Sequence, residues 1–192
     1  MRPYIAFFLA LILGTAAGLA ATWLAVTQPH GLGKQQIGVW EAWPQAGTPD
    51  AEPYGRAIQA RNGYLPLGAG EGVALFAERD EAGSALNGAC RYHVSGRLPN
   101  ARYWTLEAFT PEGGTIRNEL GRSGFTSAEV VRDEEGRVDI VLARNAEPGN
   151  WLQLGSPAPF VLVLRLYDTV LSANAFALDA QVLPRITREG CP

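Results

Sequence analysis

Three stretches of this chain alternate apolar and polar residues, and the polar set carries side chains that could do chemistry. Cys90–Ser95 sets Cys90, Tyr92 and Val94 against Arg91, His93 and Ser95. Arg102–Thr110 sets Trp104, Leu106 and Ala108 against Thr105 and Glu107. Phe160–Tyr167 sets Phe160, Leu162, Leu164 and Leu166 against Val161, Val163, Arg165 and Tyr167. Successive side chains on a strand point to opposite faces. If the apolar sets face a core and the strands are neighbours, His93, Glu107, Arg165 and Tyr167 gather on one sheet face. An acid, two bases and a phenol suit a small anionic or polyhydroxylated ligand. The competing reading is a solvated face on which Glu107 and Arg165 form an ordinary cross-strand pair.

Other chemistry finds little support. The sequence has no HExxH, no GxSxG and no P-loop. Gly68–Gly72, GAGEG, is glycine-rich but precedes a strand pattern rather than a helix, so a phosphate cradle is not expected. The two histidines, His30 and His93, are far apart in sequence, and two widely separated cysteines do not suffice for a zinc site. No catalytic residue, metal ligand set or cofactor is therefore assigned. All 19 acidic residues follow position 40, and the net charge is −3. That balance argues against nucleic acid as a partner, which calls for a basic patch.

The stretch Ile5–Val26, IAFFLALILGTAAGLAATWLAV, carries no charge. As a helix its roughly 33 Å would cross a hydrocarbon core of about 30 Å. A signal peptide is the rival reading, with Arg2 as the charged start and Ala16, Ala17, Gly18, Ala20 and Ala21 as the small-residue site. The apolar run continues past those residues through Trp23, Leu24 and Val26, and Tyr4 and Trp23 sit near its ends as interfacial aromatics do. The sequence thus predicts a single-pass membrane anchor, with residues 1–4 inside and the rest outside, which in the bacterial envelope setting of the family resemblance given below is the inner membrane and the periplasm. Secretion after cleavage is the alternative. Ala10, Gly14, Gly18 and Thr22 recur every four residues, and Gly14 and Gly18 could pair two such helices into a dimer.

Residues 27–62 read as a juxtamembrane connector with a short helix over Asp50–Gly63, started by Asp50 or Glu52 and ended by Gly63. Trp40 and Trp43 in this connector either dip into the headgroup region or pack on the domain. The β domain is expected over 63–192. From Val73 the period is two and turns recur at fairly regular spacing. Ala128–Arg132 and Arg137–Ala143 flank the turn Asp133–Gly136 as a hairpin. Phe160–Tyr167 is the most apolar strand, expected at the centre, and the tail has only a short Val182–Leu183 segment before Pro184. The pattern predicts a mainly β domain, an antiparallel sandwich or jelly roll, with a closed barrel as runner-up. Cys90 and Cys191 allow one intramolecular bridge, tying the C-terminus to an early strand; two free thiols are the alternative. Trp151 either caps the core or stacks on a ligand at the rim.

The runs RYWTLEAFTPEGGTIRN, GRSGFTS and GNWLQLGSPAPFVLVLRLYD resemble the bacterial domain-of-unknown-function family 1214. The resemblance covers roughly 64–191 and implies a β-sandwich of jelly-roll type. It also implies an envelope setting, since relatives pair this module with domain-of-unknown-function family 1254; here an apolar helix precedes it. It supplies no catalytic mechanism. The function expected is a binding or interaction module without catalysis, whose partner is the bilayer together with an envelope protein or a small ligand. One alternative is a hydrolase acting on an envelope carbohydrate or lipid through Glu107 with His93 or Asp168. The other is a structural subunit of a membrane complex.

Overall fold

A computed structural model describes residues 3–27, 33–61, 63, 65–68, 70–169 and 179–191. Helix α1 runs Pro3–Thr27, 25 residues with none buried, and it is long and apolar enough to cross a membrane. Residues 28–32 of the expected connector lie outside the described residues.

Among the described residues ten strands follow: β1 Gln35–Ile37, β2 Trp40–Ala42, β3 Gly72–Ala77, β4 Arg91–Gly96, β5 Tyr103–Phe109, β6 Gly124–Thr126, β7 Val138–Ala143, β8 Asn150–Gln153, β9 Val161–Tyr167 and β10 Arg185–Gly190. Helix α2, Pro53–Arg61, separates β2 from β3. Its start is fixed by the Glu52 carboxylate, which accepts the Gly55 amide at 2.7 Å, and Gly63 leaves it with φ +70°. One sheet has six strands in the order β1-β2-β3-β9-β5-β6, and the other has four in the order β10-β4-β7-β8. The chain is therefore mainly β, with a helix ahead of the domain.

Strand β9 is central, as its sequence predicts. It pairs along its length with β3 on one side and β5 on the other, and Val161 to Leu164 are buried on both faces. The core is one cluster fed by both sheets: Leu75, Leu106 and Leu164 from one, Tyr92, Ile140 and Ile186 from the other. Tyr92 meets Phe160 edge-on at 5.8 Å and accepts the Asn87 amide on its hydroxyl.

Four expectations change. The domain begins at Gln35 rather than 63, because β1 and β2 are strands of the larger sheet. Gly38, at φ +64°, makes the turn between them that a side chain would strain. Trp40 is 1% exposed and donates its indole N–H to the Pro184 carbonyl at 2.7 Å, so it packs. Second, β7 and β8 run parallel, with Val141 beside Trp151, where an all-antiparallel sheet was expected. Third, the outer arm of the Ala128–Ala143 hairpin makes only a bridge, Arg132 to Val138. Fourth, the tail forms a full strand, β10, on the far side of Pro184. Strand β10 is tied down by the Cys90–Cys191 disulfide and by Arg188, whose Nε lies 2.8 Å from the buried Asp80 carboxylate.

The Asp133–Gly136 turn is real. Asp133 takes both the amide and the guanidinium of Arg137, each at 2.7 Å, and that bonding holds its carboxyl below the usual range. A depressed carboxylate adds stability above its unfolded pKa and loses it as pH falls through the folded value. Arg137→Ala is expected to raise the Asp133 titration toward the ordinary carboxylate range, as read by NMR, with the backbone amide of residue 137 still holding it partly down.

Candidate functional site

The tertiary structure divides the four candidate residues. Glu107, Arg165 and Tyr167 share the outer face of the six-stranded sheet. Arg165 stands opposite Thr105, and Glu107 opposite Val163, so the acid and base meet diagonally across β5 and β9. Arg165 Nη1 donates to Glu107 Oε2 at 2.6 Å, and the guanidinium lies 5.2 Å from the centre of the Phe109 ring. Tyr167 faces Tyr103 at 5.9 Å. His93 belongs to β4, in the other sheet, with the core between. The expected gathering of all four is therefore corrected: alternation assigns a residue to a face of its own strand and says nothing of which sheet that strand joins. Asp168, the other acid considered, is an exposed loop residue at φ +47°, 3.6 Å from Arg102 Nη1.

His93 has a different set of neighbours. Thr187, His93, Val141 and Trp151 form one row across all four strands of the smaller sheet. His93 Nδ1 is 2.8 Å from Asp139 Oδ1, a contact that orients the ring. Its Nε2 lies 3.1 Å from Glu189 Oε1, close enough for a charge pair but off the angle of a hydrogen bond. Arg91 grips Glu147 with two nitrogens, at 3.0 and 3.3 Å, and also pairs with Glu189. Trp151 sits on β8 rather than in the preceding turn, and its N–H donates to the Ala143 carbonyl at 3.0 Å. It thus lies along the outer face of β7, where Val141 and Ala143 are buried although they point away from the core.

Chemically this face carries mutually paired charges beside one indole. Among the described residues no group of three or more histidine, cysteine or acidic side chains is arranged to hold a metal ion. Sequence reading placed Arg91 on the face of His93 but missed Asp139, Glu147 and Glu189 around them. The Asp139–Val141–Ala143 alternation could have suggested the first. Glu189 was out of reach because Arg185–Gly190 has only Ile186 as an apolar signal. Gly14 and Gly18, the proposed helix-pairing residues, lie on exposed α1 with open space above each.

The molecule is thus a two-sheet β domain behind a long apolar helix. The family model described as Protein of unknown function (DUF1214) matches residues 71–170, and the chain belongs to that family. Among solved structures it is similar to the VPA0106 protein from Vibrio parahaemolyticus, with a TM-score of 0.59 and 20% identity over 73% of this chain. A putative uncharacterized protein from Burkholderia cenocepacia matches with a TM-score of 0.41 and 20% identity over 63% of this chain. This chain covers 36% and 30% of those two chains, and at that identity the first likeness speaks for the fold alone. No curated protein matches it.

Proposed function

We propose that the protein is a membrane-tethered binding module. In this reading α1 crosses the bacterial inner membrane, the β domain stands in the periplasm, and the domain holds an envelope partner or a ligand without turning it over. The observation that carries it is the combination of an apolar helix with no buried residue and a domain closed by a disulfide. Apolar surface on that scale calls for lipid around it. A disulfide persists on the oxidising side of the membrane and is reduced in the cytosol. The hydrolase alternative loses support, since His93 and Glu107 stand on different sheets and Glu107 is engaged by Arg165.

The test is fractionation of cells expressing the full chain, with protease and a membrane-impermeant thiol reagent applied to spheroplasts. The expected result is an intact chain that stays with membranes at alkaline pH, is digested from the outside, and gains thiol label only after reduction. Recovery as a soluble cytoplasmic chain with two free thiols would overturn the proposal. An N-terminus beginning after Ala16–Ala21 would replace the anchor with a cleaved signal.

A further inference from the structure

Every arginine among the described residues has a carboxylate, carbonyl or ring partner except Arg97, Arg117 and Arg144. Two of these three, Arg117 and Arg144, line one hollow with about 550 Å³ of cavity volume. Asn118, Glu119, Asn145 and Gln153 make up most of the rest of its wall, which is mainly polar. A volume of that size lies within the usual range for a small-molecule site. None of these residues belongs to the His93 group or to the Glu107–Arg165 pair. A guanidinium already paired must give up its partner to take a ligand, whereas these two keep their donors free. Glu119 pairs with neither of them, so the wall carries two positive charges against one negative, in a chain of net charge −3.

The walls of the hollow are fixed by contacts within the fold. Arg117 lies in the loop after β5, and that loop is pressed onto the end of β8: a Cβ at Gly155 would stand 1.8 Å from the Arg117 carbonyl oxygen. Asn118 locks the next position, donating to the Gln153 carbonyl at 3.0 Å and to the Arg122 carbonyl at 2.5 Å. Arg144 directly follows β7, whose last carbonyl, that of Ala143, accepts the Trp151 indole N–H at 3.0 Å and the Leu154 amide at 2.9 Å. Both arginines therefore spring from fixed backbone, which spares a ligand the cost of ordering loops. Their free forks suit a carboxylate or a phosphate. The Asn145 amide both donates and accepts, and Glu119 accepts from hydroxyls. The hollow lies beyond the end of β5 and the start of β9, where Phe109 stands opposite Val161. Helix α2, whose Arg61 lies 4.8 Å from the centre of the Trp23 ring near the end of α1, shares a cleft with Gly72 and Val73, at the other end of the β3–β9 pairing. That placement suits a dissolved ligand rather than a bilayer headgroup.

We propose that this hollow binds a small polyhydroxylated anion, a sugar acid or a sugar phosphate, with Arg117 and Arg144 on its charged group and Glu119 and Asn145 on its hydroxyls. This deepens the binding-module reading and rests on it, and the two fail separately. A soluble cytoplasmic chain with free thiols overturns the tether and leaves the hollow; a hollow that binds nothing leaves the tether standing.

The full chain in detergent is titrated with glucuronate, glucose-6-phosphate, glucose and inorganic phosphate, and binding is read by calorimetry in low-salt buffer. At least one of the two sugar anions is expected to bind, about tenfold or more tighter than glucose and than inorganic phosphate. Glucuronate alone marks the source as a sugar acid, and glucose-6-phosphate alone as a sugar phosphate. Arg117→Gln and Arg144→Gln are each expected to weaken that binding by about tenfold, the worth of one charge-assisted hydrogen bond. Arg97→Gln removes the third unpartnered arginine, which lies outside the hollow, and is expected to leave binding unchanged. Unchanged thermal unfolding certifies each variant as folded, since all three side chains are exposed and make no contact that folding needs. No binding of either sugar anion overturns the proposal, as does a loss on Arg97→Gln equal to that on Arg117→Gln. Glucose binding as tightly as the sugar anions overturns the role of the arginines. Inorganic phosphate binding as tightly overturns the assignment of a polyhydroxylated ligand.

Discussion

Replacing Cys90 and Cys191 together by serine is expected to lower the stability of the full chain in detergent by about 2–5 kcal/mol. The two residues are 101 apart in sequence, so the bond closes a long loop. Cross-linking a loop of about 100 residues removes up to about 4.7 kcal/mol of denatured-state entropy in the chain-closure picture. The bond also acts where the fold is most in need of it. Strand β10 is an edge strand, joined to the sheet through β4 alone, and its side chains supply only Ile186 to the core. Without the bond its end is held by backbone pairing, by the Arg188–Asp80 contact and by the Arg91 and His93 contacts to Glu189. Urea denaturation of oxidised, reduced and double-serine protein checks this. The reduced and serine forms should share one lowered midpoint, and hydrogen exchange in β10 should rise before that in β9. Equal midpoints in all three would show that the bond is incidental to the fold.

Trp40→Ala is expected to cost about 3–5 kcal/mol, the range for deleting a buried aromatic from a core. Trp40 belongs to β2, near the beginning of the described domain, and its indole N–H reaches the Pro184 carbonyl just ahead of β10. The substitution empties a large space at 1% exposure and leaves that carbonyl without its donor. Trp40→Phe separates the two effects. It retains much of the ring and should cost about 1–3 kcal/mol, mostly for the unpaired carbonyl. At about 2–4 °C per kcal/mol for a domain of this size, the two variants are distinguishable by thermal unfolding. A Trp40→Ala protein that melts with the wild type would return Trp40 to the membrane surface and the domain boundary to position 63.

The legible parts of this chain are those written in local pattern. The uncharged run Ile5–Val26 is long enough to announce its helix, and the described helix Pro3–Thr27 contains all of it. Phe160–Leu164 is apolar on both alternating sets, and a strand apolar on both faces belongs in the middle of a sheet, where β9 is found. The inward sets Tyr92/Val94, Trp104/Leu106/Ala108 and Leu162/Leu164/Leu166 are all buried. Pro53 and Gly63 bracket α2 as their backbone preferences require.

What tertiary structure alone decided is partnership. Strand pairing joins residues far apart in the chain, and period-two alternation is the same whichever sheet a strand enters. So Glu107, Arg165 and Tyr167 could be placed on outward faces from sequence, but His93 went to the opposite sheet, beside Asp139 and Glu189. Strands β1 and β2, three residues each, are too short to show a period, and β10 is a charged edge strand with a single apolar residue facing the core. The parallel turn of β8 onto β7 likewise has no local signature, because parallel and antiparallel neighbours demand the same alternation from each strand. A sequence states which way each side chain faces because that follows from backbone geometry one residue at a time; which faces meet is set by the free energy of burying them together, a property of the whole chain.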